Sequence, residues 1–148
     1  MQETTPTYHA QCYCGAVKCE AKGEPLLQGY CHCTTCRRRS AAPMIGYTIW
    51  PETAVSFTEG EDLINRSPQP DKPEASKWMS CKVCGCAIGT HLTERGAIDI
   101  LVGAFRDFPF QPNAHMNYGE AIVRINDGLP KYRDMPGRAG GSDELVAE

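Results

Sequence analysis

Polar and apolar residues alternate along this chain in short runs, without the three-to-four residue repeat of amphipathic helices. In residues 16–21, Val17, Cys19 and Ala21 fall on one side of a strand. Residues 44–50 are a mostly apolar run stopped by Pro51, as a buried strand would be. Residues 55–58 and 63–66 flank Glu59-Gly60-Glu61-Asp62 and predict a hairpin. Runs at 77–81, 87–92 and 97–103 continue the pattern, with Thr93-Glu94-Arg95-Gly96 as the turn between the last two. Residues 121–125 predict another strand, ended by Asn126-Asp127-Gly128. Helix signals amount to about one turn at 34–40 and one at 51–54. Residues 67–75 carry three prolines and read as a surface loop. Residues 105–117 hold Pro109 and Pro112 among aromatics, an irregular stretch either pinned to a core or walling a pocket. From Pro136 the chain is glycine-rich and then acidic, the composition of a mobile tail. The pattern predicts a mainly β, antiparallel fold of short elements, with one domain over 1–135 and a flexible tail over 136–148.

Composition narrows this picture. A chain of 148 residues suits one domain with a sizeable core. No apolar run is long enough for a membrane-spanning helix, and the polar start Met1-Gln2-Glu3-Thr4-Thr5-Pro6 lacks an apolar signal core, so a cytoplasmic protein is expected. A formal charge of −3 disfavours general attraction to nucleic acid, although a local basic patch can still bind an anion. Nine cysteines in a reducing compartment point to metal or catalysis before disulfides, and an odd number suits complete pairing poorly.

Seven of the cysteines fall in three clusters: Cys12-Tyr13-Cys14-Gly15, Cys31-His32-Cys33-Thr34-Thr35-Cys36 and Cys81-Lys82-Val83-Cys84-Gly85. Two intervening residues let Cys81 and Cys84 reach one ion, and Gly85 permits the positive φ of a tight knuckle. Cys12 and Cys14 form a tighter half-site, again followed by glycine. Together Cys12, Cys14, Cys81 and Cys84 would close a structural zinc site. Cys31, Cys33 and Cys36 then remain as three ligands within six residues, with a fourth position left for water, substrate or another residue. The alternative is a second structural site completed by Cys86 or a histidine. Three thiolates on Zn²⁺ give a net negative site, a weak Lewis acid better suited to holding a substrate sulfur as thiolate than to hydrolysis.

Around this loop, Arg37-Arg38-Arg39 is either a solvated basic run or a place to recognise a substrate carboxylate, with Arg37 the candidate substrate-binding residue. His115 is the candidate pocket base or fourth ligand. His32 points away from both flanking sulfurs in an extended loop and reads as a neighbour of the site or a surface residue. His9 and His91 read as surface or strand residues, Cys19 as core, and Cys86 as a strand residue able to compete for metal.

The motifs Gln11-Cys12-Tyr13-Cys14-Gly15-Ala16-Val17, Cys31-His32-Cys33-Thr34-Thr35-Cys36-Arg37 and Cys81-Lys82-Val83-Cys84-Gly85, with His115 and Asp127-Gly128-Leu129-Pro130 downstream, resemble the glutathione-dependent formaldehyde-activating enzyme family, which includes centromere protein V. The resemblance implies a tent-like arrangement of small antiparallel sheets. It also implies two zinc ions per chain: a structural one on Cys12, Cys14, Cys81 and Cys84, and a catalytic one on Cys31, Cys33 and Cys36. Carbon–sulfur lyase activity on thiol–aldehyde adducts such as S-(hydroxymethyl)glutathione is the implied function. Small-molecule thiols and aldehydes would be the partners, without nucleic acid or membrane, and oligomerisation is left open. Two departures stand out: Cys86, where a small polar residue is expected, and Asn117-Tyr118-Gly119-Glu120, where the family commonly has tryptophan. The competing reading is a non-catalytic, zinc-stabilised binding module for a protein or chromatin partner.

Overall fold

The structure is a computed structural model and describes residues 2–147. Met1 and Glu148, the ends of the expected domain and tail, lie outside the described residues. The strands are β1 (Thr7–Gln11), β2 (Lys18–Lys22), β3 (Leu27–Cys31), β4 (Ile45–Pro51), β5 (Val55–Glu59), β6 (Ile64–Pro68), β7 (Lys77–Cys81), β8 (Ala87–Leu92), β9 (Ala97–Leu101) and β10 (His115–Met116). The α-helix α1 spans Thr34–Ser40, and short 3-10 turns fill several of the corners. The chain is mainly β, as its alternation predicts, and it groups into two compact units.

The first unit runs to Leu27 and takes in Thr48–Pro109. Strands β1, β2 and β5 form an antiparallel sheet in that order. The later part of β4 is followed across a second sheet by β9, β8, β7 and β6. Val17, Trp50, Met79, Ile88 and Ile100 are fully buried in its core. The Trp50 indole donates to Thr48 Oγ1 at 2.8 Å, and that hydroxyl donates to the Ile100 carbonyl at 2.7 Å, so no buried polar atom of the pair is stranded. Phe105 and Phe108 pack on the Trp50 ring, which pins the start of the irregular proline-aromatic stretch to the core.

The second unit comprises Gln28–Tyr47 and the chain from Phe110 onward. Here β3 lies between β10 and the first residues of β4. The β10–β3 pairing is parallel, with His115 opposite Tyr30 and Met116 opposite Cys31, so the sheets are mixed and not purely antiparallel. Gly29 makes this possible: a Cβ there would stand 2.7 Å from the Ala114 carbonyl oxygen and 2.8 Å from the Tyr47 hydroxyl.

Two expected elements take another form. The hairpin of residues 55–58 with 63–66 does not form: β5 pairs with β2 and β6 pairs with β7. A 3-10 turn at Glu61–Leu63 redirects the chain between them, so the two runs serve different sheets. Residues 121–125 are not a strand; the Ile125 N–H is taken by the Tyr118 hydroxyl at 2.9 Å, and Ile122 is exposed. The run at 97–103 is a strand to Leu101 and then a 3-10 turn, Val102–Ala104. Beyond Pro136, a 3-10 turn at Gly137–Ala139, a bridge from Leu145 to Tyr132 and a Val146 N–H to Lys131 carbonyl bond of 2.8 Å tie the stretch to the second unit. Among the described residues no helix is long and apolar enough to cross a membrane.

Candidate metal centres

In the first unit, Cys12 follows β1 and Cys81 ends β7, and each opens a tight turn that brings its second cysteine back. The Gly15 N–H bonds the Cys12 carbonyl at 3.1 Å, and the Gly85 N–H bonds the Cys81 carbonyl at 2.8 Å. Both glycines have positive φ, 78° and 74°, the left-handed region that a residue with a Cβ enters only under strain. The turns also aim backbone N–H groups at sulfur, Val17 to Cys12 at 3.4 Å and Val83 to Cys81 at 3.3 Å. Cys12, Cys14, Cys81 and Cys84 place their four sulfurs within 4.8 Å of one another. The Cys12–Cys14 and Cys14–Cys81 separations are 3.6 and 3.8 Å. A tetrahedral zinc with ordinary Zn–S bonds sets its sulfurs about 3.8 Å apart, so this donor set fits that ion. The sulfurs divide charge unevenly. The backbone N–H contributed by Cys14 lowers Cys84 to about 6. The Ala16 N–H works to lower Cys14 too, yet loss of water and three crowding sulfurs carry it up to about 11. A cation among them removes that conflict.

Cys86 stands outside this cluster. Its thiol donates to the Ala87 carbonyl at 3.3 Å, and its own carbonyl accepts the Cys81 N–H at 2.9 Å. Cys19 is buried on β2, as its alternating position predicts.

The second unit holds the second cluster. Cys31 ends β3, Cys33 caps the N-terminus of α1, and Cys36 lies in the first turn of the helix. The Cys33 sulfur accepts the Cys36 N–H at 3.2 Å. The three sulfurs lie within 4.8 Å of one another, each partly exposed, and among the described residues no histidine or carboxylate joins them. The Cys31 and Cys36 thiols donate toward Cys33 and, with the Cys36 and Thr35 N–H groups, pull it down to about 2. Cys31 is pushed up to about 11 by the same pairing with Cys33, and Cys36 is also raised. A cation between them would favour all three as thiolates together. Three sulfurs from one loop suit a zinc ion that keeps a fourth position open.

The neighbours of this loop differ from the sequence-based expectation. His32 is fully buried, not a surface group, and loss of water holds it neutral by pushing its ionisation down to about 4. His115 is also fully buried and engages both ring nitrogens, Nδ1 with His32 Nε2 at 2.8 Å and Nε2 with Asp127 Oδ2 at 2.7 Å. Its ring stacks on Tyr30 at 4.8 Å. Both ring nitrogens therefore already have partners in this arrangement. Arg37 turns back on its own loop: Nε donates to the His32 carbonyl at 3.1 Å and Nη2 to the Thr34 hydroxyl at 3.0 Å. Arg38 is exposed.

Three contacts have no signal in the sequence. Asn117, at φ 54°, donates its amide to the Cys31 sulfur at 3.4 Å. Glu120 accepts from the Thr34 N–H and hydroxyl at 3.3 and 3.0 Å. The nearly buried Lys131 donates to Asp127 Oδ1 at 3.0 Å. Cys31, Thr34 and Asp127 stand in the motifs, whereas their partners Asn117, Glu120 and Lys131 lie outside them.

A family model described as glutathione-dependent formaldehyde-activating enzyme matches residues 7–120. No curated protein matches the chain. A crystal structure of a Rhodobacter sphaeroides protein from a structural-genomics programme is similar in fold, with a TM-score of 0.55 and 19% identity over 68% of this chain and 89% of that one.

Proposed function

Because the chain belongs to the glutathione-dependent formaldehyde-activating enzyme family, we propose that it is a zinc-dependent carbon–sulfur lyase acting on thiol–aldehyde adducts such as S-(hydroxymethyl)glutathione. In the lyase direction the C–S bond of R–S–CH₂–OH breaks. The sulfur keeps the bonding pair and gains a proton, the hydroxyl loses its proton, and R–SH and formaldehyde leave. The reverse direction joins the same two molecules. The observation that carries this reading is the cluster of three partly exposed sulfurs on Cys31, Cys33 and Cys36, held within 4.8 Å by a strand end and a helix start.

Zinc bound by these three residues would supply a cationic centre that keeps a substrate sulfur as thiolate. The chain's own groups give that centre its shape. Arg37 fixes the backbone at His32 and the side chain of Thr34, and the remaining edge of its five-donor fork is the proposed contact for a substrate carboxylate. His115 is proposed to act on the site from behind, through His32, since its ring has no surface toward solvent. Cys12, Cys14, Cys81 and Cys84 would hold the second, structural zinc. The match runs through both compact units, which supports treating residues 1–135 as one functional zinc-binding domain, with 136–148 as an appendage. The cytosol is the proposed compartment, because thiolate ligands need reducing conditions.

Exchange spectroscopy on a thiol–formaldehyde mixture tests the reading, since it measures adduct formation and breakdown at equilibrium. Zinc-loaded protein is expected to accelerate exchange for at least one carboxylate-bearing thiol, and Cys33→Ser to abolish the acceleration. A chain carrying two zinc ions that accelerates no thiol–aldehyde pair would instead be a zinc-stabilised binding module.

A further inference from the structure

Behind the three-cysteine loop runs an unbroken chain of polar side chains, from Lys131 through Asp127 and His115 to His32. Its direction is legible from donors and acceptors. Lys131 and the Leu129 N–H, at 3.0 and 3.1 Å, donate to Asp127 Oδ1. Although loss of water works against it, these bonds and the one from His115 hold the Asp127 carboxyl well below the usual range. An ionised carboxylate only accepts, so Oδ2 accepts a hydrogen bond from His115 Nε2–H. With a single proton on Nε2, His115 would present a bare Nδ1 able to accept from His32 Nε2, 2.8 Å away. A single proton on Nε2 leaves His32 bare at Nδ1, a buried atom with no hydrogen-bond partner among the described residues.

The same residues are held by backbone. The His32 N–H bonds the Met116 carbonyl at 3.0 Å and the His115 N–H bonds the Pro130 carbonyl at 2.8 Å, so the two rings sit on neighbouring parallel segments. His32 lies between Cys31 and Cys33, and its carbonyl carries the Arg37 clamp. The backbone of His32 thus joins Cys31 to Cys33, and its carbonyl is tied to Arg37 on the helix that carries Cys36. Neither histidine belongs to the sulfur cluster, so the chain acts as a support.

We propose that the Asp127 carboxylate sets the tautomers of His115 and His32 and, through them, the shape of the three-cysteine loop, which makes Asp127 a positioning residue of the metal site. The proposal rests on the reading of that loop as a metal site. It extends outer support beyond the ligands themselves, where carboxylate–histidine pairs fix ring orientation in many metal centres.

Two measurements test it. In ¹⁵N-labelled full-length zinc protein, two-bond ¹H–¹⁵N correlations report the tautomer of each imidazole, with His9→Gln and His91→Gln completing the assignment. The expected result is a proton on Nε2 and a bare Nδ1 for both His32 and His115. A proton on Nδ1 of either ring overturns the proposal, whatever the variants do. The second measurement is cobalt binding, read by its visible spectrum. Asp127→Asn alone would strand the Lys131 ammonium and endanger folding, so Asp127→Asn with Lys131→Met is compared with Lys131→Met. The double variant is expected to bind cobalt in the three-cysteine loop roughly 10–100-fold more weakly and with a shifted spectrum. Affinity at the four-cysteine cluster should be unchanged, and Asp127→Glu should retain part of the lost affinity. Equal affinity and spectrum in the double variant and Lys131→Met overturn the proposal. Cobalt that never enters the loop of the unsubstituted chain would overturn the metal reading instead, and the tautomers would still decide the assignment of Asp127.

Discussion

The two cysteine clusters use the same ligand atom to opposite ends. The four-cysteine cluster draws on two turns whose ligands Cys14 and Cys81 are 67 residues apart, and it ties β1 to β7 within one unit. Its ligands Cys12 and Cys81 are buried at 1% and 2% exposure, as part of the core itself. Metal bound there would close a long loop, and its binding energy would be folding energy. The three-cysteine cluster is local: all its ligands lie in six residues, between the end of β3 and the first turn of α1, and none is buried. Here a parallel strand pair, a helix cap and a set of polar side chains shape the loop, so metal has less folding to do. The proposed function assigns ligand exchange to this cluster, whose ligands do not clip distant strands together.

The sharpest break in this comparison should come from removing one sulfur from each cluster. Cys84→Ser should abolish cooperative thermal unfolding of the first unit, because a structural zinc contributes about 10 kcal/mol or more. Cys33→Ser should cost only about 1–2 kcal/mol of stability while eliminating thiol–aldehyde exchange. Equal losses of stability, measured by calorimetry, would erase the distinction between the clusters. Gly29→Ala comes next. Its Cβ would collide with the Ala114 carbonyl and the Tyr47 hydroxyl, forcing β10 away from β3. A loss of about 1–3 kcal/mol is expected, together with weakened metal binding at the three-cysteine loop and unchanged binding at the other cluster.

Asn117→Gly is a finer probe. Glycine keeps the left-handed backbone of this position, at φ 54°, but removes the amide donor to Cys31. Stability should change by about 1 kcal/mol, and the cobalt spectrum of the loop should shift because one thiolate gains charge density. The smallest effect belongs to Cys86→Ser. Its sulfur lies outside the cluster on a carbonyl contact, so metal content by mass spectrometry should stay the same and stability should change by less than about 1 kcal/mol.

These contrasts also explain what is legible in the sequence. Ligand spacing and turn glycines are local chemistry, so spacing alone groups Cys12 and Cys14 with Cys81 and Cys84, and sets Cys31, Cys33 and Cys36 apart. Strand alternation is local as well, and β8 falls at 87–92 as expected. Pairing is not local. Residues 55–58 and 63–66 look like hairpin arms, yet each pairs with a different strand, to which no turn signal points. Strand β3 contains a glycine and a glutamine and lacks alternation; its position follows from the close approach of β10 at Gly29. Side-chain direction is the hardest to read. Arg37 beside a metal loop suggests substrate recognition, and only the fold reveals that two of its donors are turned on His32 and Thr34. For His115 likewise, only the fold reveals its burial and its two partners, His32 and Asp127.

On this reading the three-cysteine loop holds a metal with one exchangeable position, while the four-cysteine cluster is closed. Titrating a small carboxylate-bearing thiol into the cobalt-loaded chain measures this most directly, through the sulfur-to-cobalt charge-transfer band. The predicted result is a band that grows with one equivalent of thiol in the unsubstituted chain and is insensitive to thiol in Cys33→Ser. A spectrum that no thiol alters, in a chain that has bound two cobalt ions, would contradict it.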